Sequence, residues 1–234
     1  MTAPNAVDVW RVDLKTAARR LAVFDGYLSN DERERAGRFR AYIDRTRWVT
    51  YRIALRIILG RYLGVVPSEV EYTLGRHGKP HLAPPAARFT FNGAHSGDVA
   101  LVTVAPGFEV GIDVEMVCAR AGLASVGHRF FSAREAAAIG ALPGDAQLRA
   151  FYACWTRKEA VAKALGLGLR APLDQIEVGV QPAAKMERLP IASATVTHRP
   201  MTMIDLSCGD AAGALAMCCS DPSIREVEAG RLFG

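Results

Sequence analysis

Two short segments carry side chains whose types and spacing suit phosphate chemistry. They are Gly111-Ile112-Asp113-Val114-Glu115 and Trp155-Thr156-Arg157-Lys158-Glu159-Ala160-Val161-Ala162-Lys163. The first follows an apolar run from Val99 to Val104 and a turn signal at Pro106-Gly107, so it reads as a strand. Residues two apart on a strand point the same way, so Asp113 and Glu115 offer two carboxylates to one ion. The second segment reads as a helix, with Trp155, Glu159 and Lys163 spaced by four on one face. Three carboxylates beside an amine suit a hard cation such as Mg²⁺ that keeps water and accepts substrate phosphate oxygens. Each feature also has a plainer use. A strand-edge carboxylate pair is more often solvated, and Glu and Lys four apart commonly form a weak surface pair. The apolar neighbours Val110, Ile112, Val114 and Met116 argue that the opposite strand face is buried and that the acids share one environment. Phe151 and Tyr152 argue likewise for a helix that faces a cleft rather than open solvent.

The elements that position these residues belong to an ordinary globular chain. Its 234 residues suffice for one large domain or two small ones, and 50% hydrophobic with 23% charged residues argues against disorder. The most apolar helical stretch, Ile53 to Leu63, is interrupted by Arg56 and Arg61, so no membrane span is expected. The N-terminus shows no basic-then-apolar signal, and a cytoplasmic protein is expected. Cys118, Cys154, Cys208, Cys218 and Cys219 form no Cys-x-x-Cys pair, which fits reduced thiols and speaks against zinc; Cys154 reads as a small buried hydrophobe. The net charge of +5 suits an anionic ligand or an acidic partner, with cations concentrated between Arg33 and Arg61.

Alternation predicts an opening strand over Val7 to Leu14. Ser29 opens a helix whose early Asp31, Glu32 and Glu34 favour the dipole. A longer helix from about Arg45 to Tyr62 follows, with a stripe of Trp48, Tyr51, Leu55, Ile58, Leu59 and Tyr62; Arg45, Arg52 and Arg56 edge that stripe, and Arg52 and Arg56 read as a snorkelling rim. Gly75 to Pro80 is a turn. Arg88 to Asn92 and Val99 to Val104 read as neighbouring strands joined by a loop over Gly93 to Asp98. After Pro106-Gly107 come a strand to Glu115 and helices at about Val126 to Phe131, Ala133 to Ala141 and Leu148 to Leu165. Strands are expected around Ile176 to Val180, Ala192 to Thr197, Met203 to Cys208 and Ala212 to Cys219; the tail from Asp221 carries no assignment. This order predicts an α+β fold divided near Pro106-Gly107, residues 1–107 and 108–234, and strands enclosing helices in each half suggest an internal duplication.

Taken in order, these motifs resemble a known family. Ser29-Asn30-Asp31-Glu32-Arg33-Glu34-Arg35, Gly78-Lys79-Pro80, Phe91-Asn92-Gly93-Ala94-His95-Ser96, Gly111 to Glu115, Arg129-Phe130-Phe131-Ser132 and Trp155 to Lys163 are similar to the 4′-phosphopantetheinyl transferases, in particular the larger monomeric class typified by the surfactin-synthetase activator. Any one piece is common, but the ordered set spans Val9 to about Cys219. The resemblance implies a pseudo-dimeric fold of two similar α+β halves with the active site between them. It implies transfer of phosphopantetheine from coenzyme A to a serine of an apo acyl or peptidyl carrier protein, with Mg²⁺ (or Mn²⁺) as cofactor and adenosine 3′,5′-bisphosphate as leaving group. By the same resemblance, Asp113, Glu115 and Glu159 are the metal ligands, Glu159 is also the base for the carrier serine, and Lys163 neutralises charge on the pyrophosphate. Arg35, Arg76, Gly78, Lys79, Ala94, His95 and Lys163 would contact the coenzyme, with Arg47 a further candidate and Lys158 structural. The family usually has Ser where this chain has Ala94, so a hydroxyl contact is lost and only the backbone N–H remains there.

Rival readings fit less well. Another Mg²⁺-dependent phosphotransferase would want a Gly-x-x-x-x-Gly-Lys loop, and none is present. A nucleic-acid protein would leave three carboxylates repelling the phosphate backbone. An adaptor that has lost catalysis would not need every expected metal ligand.

Overall fold

The computed structural model describes residues 6–21, 26–84, 88–181, 188–189 and 201–232. The elements in chain order are β1 (Ala6–Asp13), α1 (Leu14–Leu21), α2 (Asn30–Gly37), α3 (Tyr42–Leu63), β2 (Tyr72–Leu74), β3 (Pro80–Leu82), β4 (Phe89–Ser96), β5 (Val99–Pro106) and β6 (Val110–Met116). They continue with α4 (Leu123–Phe130), α5 (Ala133–Gly140), α6 (Gly144–Leu165), β7 (Arg188–Leu189), β8 (Thr202–Asp205), β9 (Ala211–Met217) and β10 (Ser223–Glu228). This is the mixed α+β architecture that the sequence predicts.

One sheet runs β10-β1-β5-β4 and a second runs β6-β9-β8-β7. An apolar core of Val7, Val9, Ala94, Leu101, Ile112, Val114, Leu215 and Met217 joins them. The outer face of the first sheet, with Phe91, is covered by α3 through Tyr51, Leu55 and Ile58, and that of the second, with Ala214, by α6 through Ala160, Val161 and Ala164. Strand alternation produces this division. Val110, Ile112 and Val114 enter the inter-sheet core, while Gly111, Asp113 and Glu115 turn toward α6.

The edge strands β4 and β6 meet through side chains rather than a backbone ladder. Asn92 Oδ1 accepts the Ile112 N–H at 2.9 Å, Ser96 Oγ accepts the Met116 N–H at 3.1 Å, and the Thr90 hydroxyl donates to the Phe108 carbonyl. The N–H groups of Ile112 and Met116 on this seam are thereby satisfied, as burial requires.

Two local motifs recur. The 22-residue helices α3 and α6 end on left-handed glycines, Gly64 and Gly166. The short helices α2 and α5 each open with a capping box, Ser29 with Glu32 and Ser132 with Glu135. The glutamates of both boxes are buried against bases on the long helices. Glu32 pairs with Arg52 and, at 2.6 Å, with Arg56; Glu135 pairs with Lys158 at 2.7 Å. The snorkelling rim expected of Arg52 and Arg56 is therefore corrected. Arg56 is 3% exposed and also donates to the carbonyls of Pro67 and Val70, because Glu32 supplies the counter-charge that allows its head group inside. Burial alone would raise the Glu32 pKa, but Arg52, the Ser29 N–H and Arg56 hold it below the usual carboxylate range.

Other expectations change locally. Gly93 to Ser96 continue strand β4, leaving only a tight turn at Gly97-Asp98 where a six-residue loop was expected, because β5 pairs with β4 to its end. Among the described residues Ile176 to Val180 forms no strand of its own, with a single β-bridge position at Glu177, and Ala192 to Thr197 lies outside the described residues. The tail forms β10, parallel to β1, so residues 223–228 lie in the first sheet although they follow the 107/108 division. Arg225 clamps it by a bidentate contact to Asp8 at 2.7 Å.

The tightest contact is at Gly111. A Cβ there would stand 2.1 Å from the Ala160 carbonyl oxygen and 2.2 Å from the Ala164 nitrogen, both α6 backbone atoms that cannot yield. Gly111→Ala is expected to destabilise the protein by roughly 3 kcal/mol or more, the upper end of overpacking costs. Urea unfolding checks this; a variant within experimental error of the parent would show that α6 can move off β6.

Candidate active site

The close approach at Gly111 sets α6 across β6 so that Lys163 overhangs Asp113. Lys163 Nζ donates to Asp113 Oδ1 at 2.6 Å and to the Ile112 carbonyl at 3.1 Å. Asp113 is only 6% exposed, and its second oxygen, Oδ2, is buried with no hydrogen-bond partner. A buried carboxylate oxygen without a donor costs free energy unless something else occupies it. Glu115, further along β6, accepts from Ser96 Oγ at 2.8 Å and lies 3.5 Å from Arg120. Half-buried Glu159 stands one turn before Lys163 on α6.

The electrostatics tie the four groups together. Burial raises the Asp113 pKa, Lys163 opposes this, and Glu115 adds to it. Burial likewise raises Glu159, again opposed by Lys163 and reinforced by Asp113 and Glu115. Burial works against the charge of Lys163, but Asp113 and Glu159 outweigh it and keep the amine protonated. An ion pair by itself would lower the Asp113 pKa. That it is raised reflects first the burial of the carboxylate, which Lys163 offsets only in part, with the like charge of Glu115 adding to it. Among the described residues, no three His, Cys, Asp or Glu side chains stand ready as a metal cage. The reason is visible: Lys163 holds one oxygen of Asp113, and Ser96 and Arg120 draw Glu115 aside. The unpartnered Asp113 oxygen and the surplus of negative charge nevertheless fit a cation.

Across the β4–β6 seam lies the basic counterpart. His95 sits on β4 rather than in a loop, its ring 4.8 Å from that of Tyr51. Burial pushes the His95 pKa below its ordinary value; Glu115 opposes this, while Lys163, Arg35 and Arg47 add to it. Those four cationic or potentially cationic groups therefore share one region with the carboxylates. Arg35 lies 5.5 Å over the Trp48 ring, and Arg47 pairs with Asp98 at 2.8 Å. Ala94 points into the inter-sheet core, so only its backbone is available to a ligand.

The hairpin residues fare differently. Arg76 is exposed at the tip, and Gly78 has the positive φ of 81° that closes the turn. Lys79 turns inward to pair with Glu109 and donates to the carbonyls of Val110 at 3.0 Å and Ala164 at 3.3 Å. It fastens the hairpin to the start of β6 and the end of α6. Lys158 is fully buried on Glu135 and on the carbonyls of Leu173 and Ile176, a structural place. The sequence reading gives Tyr51 a place in the apolar stripe and quotes Asn92 and Ser96 within a motif, but assigns none of these three, nor Glu109, a part in the site. Polar Asn92 and Ser96 at even positions of an apolar strand were the available signal.

A family model for the 4′-phosphopantetheinyl transferase superfamily matches residues 109–213, the span from β6 into the first residues of β9. The 4′-phosphopantetheinyl transferase HetI of Nostoc sp. is 37% identical over 190 residues, 80% of each chain. The chain belongs to the 4′-phosphopantetheinyl transferase superfamily. A phosphopantetheinyl transferase of Thraustochytrium sp. is 32% identical over 181 residues, 71% of this chain and 63% of its own. The transferase psf-1 of Bacillus pumilus is 27% identical over 224 residues, 94% of this chain and 91% of its own. As a phosphopantetheinyl transferase, the chain has its family match over the strand and helix that carry Asp113, Glu115, Glu159 and Lys163. No described helix of this transferase is long and apolar enough to cross a membrane.

A raised pKa means that the folded protein binds the Glu159 proton more tightly than the unfolded chain does. The resulting stability is full at low pH and is lost as pH rises through the folded pKa. In chelator-treated protein, Glu159→Gln is therefore expected to unfold at a higher temperature than the parent at pH 8, with the difference closing near pH 4. Thermal scans across that range check it; an equal or lower midpoint at pH 8 would show that ionised Glu159 carries no penalty.

Proposed function

We propose that this transferase moves 4′-phosphopantetheine from coenzyme A to a serine hydroxyl of an apo acyl or peptidyl carrier protein, with Mg²⁺ held by Asp113, Glu115 and Glu159. The observation that carries this reading is the buried, partnerless Asp113 Oδ2, in a cluster with more carboxylate than ammonium charge. A bound divalent ion would supply Lewis-acid neutralisation of the phosphate charge that develops as the bond to the leaving group breaks.

The chain's own residues supply the rest. Coenzyme A enters with its anionic nucleotide end toward Arg35 and Arg47, which offset phosphate charge, and toward His95, which burial keeps neutral and which donates a ring N–H; the backbone of Ala94 and the exposed Arg76 of the hairpin tip are further contacts. Gly78 lets the hairpin turn and Lys79 anchors it, so their part is to position rather than to bind. Glu159 takes the serine proton. The serine oxygen attacks the pantetheine-side phosphorus, the bond from that phosphorus to the bridging oxygen breaks, and adenosine 3′,5′-bisphosphate departs. Lys163, held protonated over Asp113, offsets charge on the pyrophosphate.

The matched capping boxes and long helices support two related halves flanking the site. A net charge of +5 suits the acidic surfaces of fatty-acid, polyketide and nonribosomal carriers alike.

With coenzyme A and Mg²⁺, the parent protein is expected to add one phosphopantetheine mass to an apo carrier. Asp113→Ala and Glu159→Ala should each lower the rate, Glu159→Ala by roughly 10²–10⁴-fold, the range for loss of a positioned proton-transfer group. Their circular dichroism should match the parent's. Intact-protein mass spectrometry reads the result, and full conversion by either variant would remove that residue from the chemistry.

A further inference from the structure

Tyr51 has no part in the chemistry above, yet it occupies the outer face of β4 where His95 stands. Phe91, Gly93 and His95 alternate onto that face beneath α3. The Tyr51 side chain lies along it. Its ring packs on the His95 imidazole with centroids 4.8 Å apart and an interplanar angle of 38°, and its hydroxyl reaches back over Gly93. A Cβ at residue 93 would meet the Tyr51 hydroxyl oxygen at 2.4 Å and its Cζ at 3.3 Å. The backbone does not ask for glycine here, since Gly93 lies within a paired strand and is not among the glycines with positive φ. Glycine inside a strand weakens it, and close approach of another group is the usual compensation. Here the group that approaches is the Tyr51 hydroxyl.

We propose that Tyr51 and Gly93 are a matched pair that positions His95 toward the coenzyme phosphate, with the glycine making room for the tyrosine and the tyrosine ring fixing the imidazole. The inference rests on the functional reading above. Tyr51 is 8% exposed, so its ring is itself held by the core of α3. An imidazole packed on a fixed ring has fewer rotamers to lose when it meets a phosphate, and that saving appears in substrate binding rather than in the chemical step. Tyr51 is thus a positioning residue. A tyrosine that merely filled the core would show its loss in stability and leave coenzyme affinity alone.

The test uses the full chain with Mg²⁺ and an apo carrier, and reads kcat, the KM for coenzyme A, direct coenzyme A binding by calorimetry and the thermal midpoint. Tyr51→Leu should raise KM by about two- to tenfold, the cost of ordering one side chain, with kcat little changed. Tyr51→Phe, which keeps the ring, should remain near the parent. Gly93→Ala should raise KM in the same way, and adding Tyr51→Phe to it should restore most of the loss, because the clashing oxygen is then gone. Unchanged KM in Tyr51→Leu, or no rescue in the double variant, overturns the pair. Coenzyme A binding by the parent separates the two levels. Its absence overturns the functional reading and this inference with it, whereas parent binding that Tyr51→Leu leaves unaltered overturns this inference alone.

Discussion

The site depends on one steric fact, the absence of a side chain at Gly111. Helix α6 lies so close to β6 that its Ala160 carbonyl and Ala164 nitrogen occupy the space a Cβ would fill. That approach brings Lys163 within hydrogen-bond distance of both the Ile112 carbonyl and Asp113. It also places Glu159, one turn earlier, beside the strand carboxylates. A helix packed at an ordinary distance would leave a strand pair and a helix pair facing water separately. Lys79, bonded at once to β6 and to the last turn of α6, fastens the same contact from its end.

The second constraint is the seam between β4 and β6. The two sheets share an apolar core, yet their facing edges are stitched only by Asn92, Ser96 and Thr90. On either side of this seam the outer faces of β4, under α3, and of β6, under α6, carry the basic and acidic groups. The gathering is unfavourable in the free protein. Burial raises both Asp113 and Glu159, and one carboxylate oxygen goes without a partner. A bound cation would relieve both penalties, so stability forgone here is consistent with a site shaped for a ligand rather than for rest.

Much of this was legible from spacing. Strand alternation separated Asp113 and Glu115 from Val110, Ile112 and Val114, and helical spacing aligned Glu159 with Lys163; both arise from local geometry that tertiary context did not override. What escaped depended on partners distant in sequence. Arg52 and Arg56 looked like a solvated rim because nothing local reveals that Glu32 lies buried between them. His95 looked like a loop residue because glycine and serine are turn formers, yet pairing with β5 extended the strand through them. Lys79 looked like a free cation because its partners, Glu109 and the end of α6, are brought to it only by the fold. Gly111 and Gly93 gave no sign of their role in sequence, since close approach is a property of two surfaces.

The central claim is that Asp113, Glu115 and Glu159 close on one divalent ion. It is tested most directly by titrating the chelator-treated protein with Mn²⁺ in the presence of coenzyme A and following free ion by electron paramagnetic resonance. The account predicts one tight site per chain, lost on Asp113→Ala and on Glu159→Ala. Binding that persists undiminished in both variants would contradict it.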